Sequence, residues 1–308
     1  MSKIRDFITI SRIKILIATP AQPLLGTFLA ASSIFDLVNI YLIYFLILYI
    51  ISILYAVNVN CYYDRDIDIK YKVKLARAVD NLGKENIRVI LIIETCLIMI
   101  LSGYLMLVGY VIVGIFSVIG WVISTSYSAA PIRVKKRGYL SALPIIIGLF
   151  MFPYINGWLM IKLNFQVYGI IYLIGYILLN EGMNLINTAE DFDEDLSENV
   201  KTWAHVFGLK WTFKIALIFT VIGGVCCIWG LLIKLLSSQI YLYNVSFSSA
   251  FIIMSSIFIL KSSWDLYSIG KRDDLRKAAK ENAYRMPFWF ASTRYPMLLA
   301  ALFILLPF

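Results

Sequence analysis

The sequence predicts an all-α, polytopic membrane protein, a single bundle of nine transmembrane helices with a cavity facing the cytoplasm. Three observations predict it. Of 308 residues, 60% are hydrophobic and only 15% charged, and mean hydropathy is +0.80; a water-soluble domain of this length does not need such a composition. Apolar runs of about 20 residues, the length that crosses the hydrocarbon layer, recur along the whole chain. These runs are unbroken, whereas the strands of a membrane barrel alternate lipid-facing and lumen-facing side chains.

Bounded by charged or turn-forming residues, the runs cover residues 13–35, 37–59, 89–107, 111–127, 140–160, 167–188, 211–235, 243–260 and 288–308. The first follows a basic start and contains Ala30, Ala31 and Ser32, small residues of the kind a signal peptidase cuts. Pro20 and Pro23 inside it, and eight further runs behind it, predict a retained helix instead. Cys61, Cys96, Cys226 and Cys227 lie in or at the ends of apolar runs without ligand spacing, so no disulfide framework and no zinc site is expected.

All of the 28 Lys and Arg except Lys162, Lys214, Lys234 and Arg294 fall at the N-terminus or after even-numbered helices. The positive-inside rule puts that side in the cytoplasm of a cell membrane, and the C-terminus outside. The net charge of +9 then reflects topology and attraction to anionic membrane lipid, and no nucleic-acid partner is expected.

Topology does not explain the acids. The 19 Asp and Glu are few, yet two tight groups sit in loops otherwise rich in cations. One runs from Asn60 through Asp64 and Asp66 to Asp68 after helix 2; the other runs from Asn187 through Glu190, Asp191, Asp193 and Glu194 to Asp195 and Glu198 after helix 6. Both read Asn-x3-Asp-x3-Asp, a spacing that stacks the three side chains on one helix face. Its recurrence suggests a duplicated unit, helices 1–4 and 5–8, within one domain spanning residues 1–308. Stacked carboxylates repel, and a helix C-terminus is the unfavourable end for them. Mg²⁺ compensates such charge well, because one or two carboxylates hold it while phosphate and water fill its other positions. The plain alternative is a pair of solvated helix ends with Arg65 and nearby lysines as surface partners.

With these two motifs in order, and with Tyr127-Ser-Ala-Ala-Pro131-Ile-Arg133-Val-Lys135-Lys136-Arg137 after helix 4, the whole chain resembles the UbiA superfamily of intramembrane prenyltransferases. The resemblance implies a prenyl diphosphate substrate, such as geranyl or geranylgeranyl diphosphate, Mg²⁺ as cofactor and a lipophilic or aromatic acceptor. It also implies that Asn60, Asp64, Asp68, Asp191 and Asp195 bind Mg²⁺ and diphosphate and that Arg133 and Lys135 meet phosphate oxygens. Asn187 and Arg65 join them as candidate diphosphate ligands from the acid groups themselves, and Tyr127, whose ring can face positive charge, as a candidate catalytic residue. Many relatives carry Lys four residues after this Tyr; here the position is Pro131. The acceptors of relatives include quinone precursors, haem, chlorophyll-type tetrapyrroles and archaeal-type glycerol lipids, of which a quinone precursor or archaeal-type lipid is the reading kept here.

The remaining candidates have ordinary readings beside functional ones. Tyr55, Tyr62 and Trp121 lie near the right helix ends to face a cation, but aromatic residues also populate membrane interfaces. Glu94 and Glu181 are carboxylates within spans, which default to functional hypotheses; either can equally be a hydrogen-bonded packing residue. His205, the single histidine, is read as a loop residue. Segments 69–88 and 261–287 are long and charged, and amphipathic pieces there are expected to cap the cavity or simply to connect helices. A secondary transporter is the alternative function, although its acids belong near the bilayer midplane rather than at one end. A lipid-binding scaffold leaves the paired acids unexplained.

Overall fold

The computed structural model describes residues 3–13, 16, 19–197, 199–238 and 241–307. A short amphipathic helix, α1 (Lys3–Ile10), and a buried one, α2 (Ala21–Ala30), lead to α3 (Ile40–Tyr71), α4 (Val73–Leu82), α5 (Lys84–Leu107) and α6 (Val111–Ser128). An irregular loop follows, then a π turn at Ile145–Met151 that runs into α7 (Phe152–Leu159). Pro153 has no N–H to give the preceding turn, which suits a locally widened ladder. The second half comprises α8 (Val167–Glu190), α9 (Phe192–Ser197), α10 (Trp203–Phe207), α11 (Leu209–Ser237), α12 (Leu242–Gly270), α13 (Leu275–Asn282) and α14 (Met286–Leu305).

Eight helical stretches among the described residues are long and apolar enough to cross a membrane, and they match the second to ninth expected runs. The first run is described only in part. Its helix, α2, has 10 residues, about 15 Å of rise and half the hydrocarbon thickness, while residues 14, 15, 17 and 18 lie outside the described residues. Helix 2 extends far past its expected end: the 32 residues of α3 rise about 48 Å, so its last turns carry the first acid group beyond an apolar layer of about 30 Å.

Lipid offers little hydrophobic drive between helices, so close approach through small residues holds them together. Gly26 of α2 meets the Tyr154 carbonyl and Gly157 of α7 meets the Pro23 carbonyl, so closely that a Cβ at either position would overlap backbone. Gly175 and Gly182 of α8 approach the α11 backbone in the same way. Of the apolar stretch of α8, 61% is buried, against 17% for α6, which makes α8 an inner column and α6 a lipid-facing one. At the end opposite the acids, Lys234 donates to the carbonyl of Ala31 at 2.7 Å and Lys162 to the Ser32 hydroxyl at 2.7 Å. Both lysines thereby secure the exit from α2.

Segments 69–88 and 261–287 are largely helical. α4 buries Leu75, Ala78, Val79 and Leu82 in a small core with Ile10 of α1 and Cys61 of α3. α13 packs beside α8, where Arg276 and Lys280 pair with Asp193 at 3.1 and 3.8 Å.

Candidate active site

The uninterrupted α3 puts Asn60, Asp64 and Asp68 one turn apart. Asn60 donates to Asp64 at 2.8 Å and to the Ser128 hydroxyl at 3.1 Å, which ties the first acid group to the end of α6. Two cations from the following loop converge on Asp64: Arg133 donates to Oδ1 at 2.9 Å and Lys135 to Oδ2. Arg133 adopts a left-handed backbone (φ 39°, ψ 60°), a conformation that costs a non-glycine residue about 1–2 kcal/mol. It folds the loop so that both cations reach one carboxylate. Burial lowers the pKa of Lys135 while Asp64 opposes the shift. Asp68, 5% exposed, has an Oδ2 buried without any partner.

The second group is divided. α8 ends at Glu190, Asp191 caps it, and α9 begins at Phe192. The Asp195 N–H still donates to the Asp191 carbonyl at 2.8 Å, and that of Asp191 to Asn187 at 3.2 Å, so the three residues keep nearly helical stacking. Burial first, then the Asp191 charge, pushes the Asp195 carboxyl up to about 7 against the pull of Lys135 and Lys72. Glu194 is raised for the same reasons, burial before Asp191. His205 has a structural task here. Its Nδ1 accepts from the Thr202 N–H at 3.2 Å, so Nε2 carries the proton and donates to the Phe192 carbonyl at 2.9 Å; its ring also stacks on Phe192 at 4.3 Å.

Two contacts join the groups. Lys72 reaches Asp191 at 3.2 Å, and the Tyr71 and Ser197 hydroxyls meet at 2.8 Å. Burial alone would lower Lys72, but Asp191 outweighs it and the pKa is raised. Between the groups opens a cavity of about 390 Å³ whose polar end is lined by Asn60, Asp64, Asp68, Lys135, Asn187, Asp191 and Asp195, and whose far end is lined by Phe45, Leu48, Phe116, Leu149 and Phe152. Tyr127 lines it as well.

Two expectations fare differently. Arg65 does not line this cavity: Asp80 takes its guanidinium through two contacts at 2.7 and 2.8 Å and Asp66 adds a third at 3.0 Å, so the reading of Arg65 as a diphosphate ligand is replaced by a surface ion-pair cluster. Arg133 lies one step back, touching Asp64 rather than the cavity wall. Tyr55 bonds Thr125 at 2.8 Å and Trp121 bonds Thr95 at 3.2 Å, both away from the wall. Glu94 accepts from Asn58 at 2.7 Å between α3 and α5. Glu181 lines a small side chamber beside the main cavity.

Sequence reasoning passed over Arg12, Tyr49, Lys72 and Asn156 as site residues, all of which line the cavity, and Glu194 of the second acid group lines it too. Lys72 had a signal, since it stands four residues after Asp68 on the face that carries the acids. Arg12 had none, because only the path of the chain before α2 brings it there.

The donor set suits a hard cation. The acid end of the cavity gathers carboxylate and amide oxygens with two lysines, one buried carboxylate oxygen of Asp68 is unpartnered, and Asp191, Glu194 and Asp195 crowd like charges together. Among the described residues no group of three Asp, Glu, His or Cys side chains is placed to hold a metal ion without other ligands. Mg²⁺ is commonly held by one or two carboxylates, with phosphate and water as its remaining ligands.

Fold and site together define a polytopic helical membrane protein with an acid-mouthed, apolar-floored pocket. The profile of the UbiA prenyltransferase family matches residues 22–265, and the chain belongs to that family. A solved structure of digeranylgeranylglyceryl phosphate synthase in membranes is similar at TM-score 0.67 and 14% identity, over 98% of this chain and 99% of that one. A UbiA homologue from Archaeoglobus fulgidus bound to GPP and Mg²⁺ is similar at TM-score 0.65 and 11% identity, over 95% and 99%; the same homologue bound to DMAPP and Mg²⁺ gives the same values. At these identities the likeness is one of fold. No curated protein sequence matches the chain significantly.

Proposed function

We propose that this protein transfers a prenyl group from a prenyl diphosphate to a lipophilic acceptor, a quinone precursor or an archaeal-type glycerol lipid, in a cell membrane with its acid groups at the cytoplasmic side. The observation that carries the reading is the juxtaposition, in one cavity of about 390 Å³, of two facing acid groups with Lys135 and Lys72 at one end and an aromatic, apolar wall at the other. Membership of a prenyltransferase family supports it, as does the occupancy of the Archaeoglobus fulgidus homologue by GPP or DMAPP with Mg²⁺.

Breaking the allylic carbon–oxygen bond leaves charge growing on the diphosphate, and cations already in place stabilise it most. Asp64, Asp68, Asp191 and Asp195 would hold Mg²⁺, which supplies that stabilisation as a Lewis acid. Lys135 and Lys72 reach the same end and share their charge between the acids and an entering phosphate. Arg133 holds Asp64 in place. Phe45, Leu48, Phe116 and Phe152 keep water from the allylic cation, and the faces of Tyr49 and Tyr127 tolerate positive charge.

The test is diphosphate release from geranylgeranyl diphosphate by purified protein, with Mg²⁺ or with chelator, against aromatic and glycerol phosphate acceptors. Acceptor-dependent release that chelator abolishes supports the reading and names the acceptor class. No binding or turnover of any prenyl diphosphate would overturn it in favour of transport.

A further inference from the structure

Prenylation of a hydroxyl or an aromatic ring carbon releases one proton. The electron pair of the broken C–O bond leaves with the diphosphate, the acceptor forms the new bond to the prenyl carbon, and its proton needs a base. A carboxylate that holds a cation is a poor one. The acids of the mouth are therefore unsuited while they serve the diphosphate.

Glu181 is a buried carboxylate outside the mouth that adjoins the cavity. It lies on α8, six residues before Asn187, about 9 Å deeper along the helix axis, and is 1% exposed. Its hydrogen bond is a long one, from the Asn184 amide at 3.3 Å, and no ion pair reaches it among the described residues. It lines a side chamber of about 30 Å³. Tyr127, Ile145, Asn184, Thr188 and Thr202 line both this chamber and the main cavity, so the two adjoin through a largely polar wall. A chamber of that size, with Glu181, Asn184, Thr188, Thr202 and Ser141 among its lining, has room for one or two waters, each needing roughly 10–15 Å³ and polar partners. An acid kept off the ion-pair network, beside the pocket and next to a water-sized space with hydroxyl and amide groups in its wall, is placed to receive a proton and not to bind phosphate.

We infer that Glu181 accepts the proton that the acceptor gives up, through a water in the side chamber beside Tyr127 and Asn184. The inference rests on the prenyl-transfer reading above. Atoms balance: the proton moves from the acceptor to water and from water to Glu181, and returns to solvent after the products leave.

Glu181→Gln separates this task from packing, because the amide keeps the shape and can still bond Asn184. In single turnover, Glu181→Gln should form acceptor-dependent product about 100-fold more slowly, at the low end of general-base effects. Mg²⁺-dependent donor binding, followed by tryptophan fluorescence, and the donor KM should be unchanged, and Glu181→Asp should recover part of the rate. Glu181→Gln as fast as wild type, or loss of donor binding in parallel with rate, would overturn the assignment. If Glu181→Gln melts well below wild type, Glu181→Asp decides: a reduced product rate with unchanged donor binding supports the role, and a wild-type rate or weakened donor binding overturns it. A wild-type protein that turns over no prenyl diphosphate removes the prenyl-transfer reading itself, whereas a working wild type matched by Glu181→Gln removes only the proton assignment.

Discussion

The two acid groups share one sequence spacing and meet opposite electrostatic environments. Asp64 stands on an unbroken helix, its side chain 10% exposed, with Arg133 and Lys135 both against it. Asp191 stands at a helix break, 21% exposed, with one lysine from across the gap and further acids beside it. Asp64 is matched by two cations of its own side, while Asp191 shares a single lysine with neighbouring acids. Identical spacing thus places one carboxylate in a fixed ion-pair cluster and its counterpart among like charges.

The largest effects should come from Asp64→Asn and Asp191→Asn. Each should lower Mg²⁺-dependent diphosphate release about 1,000-fold, the upper range for removing one preorganised electrostatic contact, and wild-type rates in both would remove the site assignment. Their stabilities should differ. Asp64→Asn strands Lys135 and part of Arg133, and a melting experiment without metal should show a loss of about 1–3 kcal/mol. Asp191→Asn removes a repelling charge along with the Lys72 contact, so its metal-free stability should stay within about 1 kcal/mol of wild type. Equal stability losses would erase the contrast between the groups.

Lys135→Ala should cut turnover about 100-fold through its place beside Asp64 and the cavity, visible in kcat rather than in folding. Lys72→Ala touches a more exposed pair, worth at most about 1 kcal/mol, and should change turnover by no more than about fivefold. Loss beyond that in titrations with Mg²⁺ would make Lys72 a larger participant than its exposure implies. At the bottom of the range, Arg65→Ala and Lys162→Ala should leave turnover at the wild-type rate, since one pairs with Asp80 on the outside and the other holds Ser32 at the opposite end.

Span by span, much of this architecture was legible. Eight of the nine expected runs correspond to helices of crossing length, because crossing a bilayer imposes length and apolarity on a contiguous segment. The acid stacking was legible too, since four-residue spacing on a helix is local geometry. Within the first run a helix was legible but its form was not: α2 has only 10 residues, most of them buried, and the Gly26 and Gly157 contacts that hold it inside the bundle are reported by no hydropathy window.

The sequence by itself therefore determined the helical class, most of the spans, the pair of acid faces and their shared spacing. Only the tertiary structure decided which cation meets which acid: Arg133 and Lys135 on Asp64, Lys72 on Asp191, and Arg65 turned away to Asp80. It also decided that Glu181 opens beside the pocket while Glu94 packs against Asn58. The reason is physical. Periodicity is set by neighbours a turn away, whereas charge pairing acts over a few ångströms between residues far apart in the chain, and only the packed bundle brings them that close.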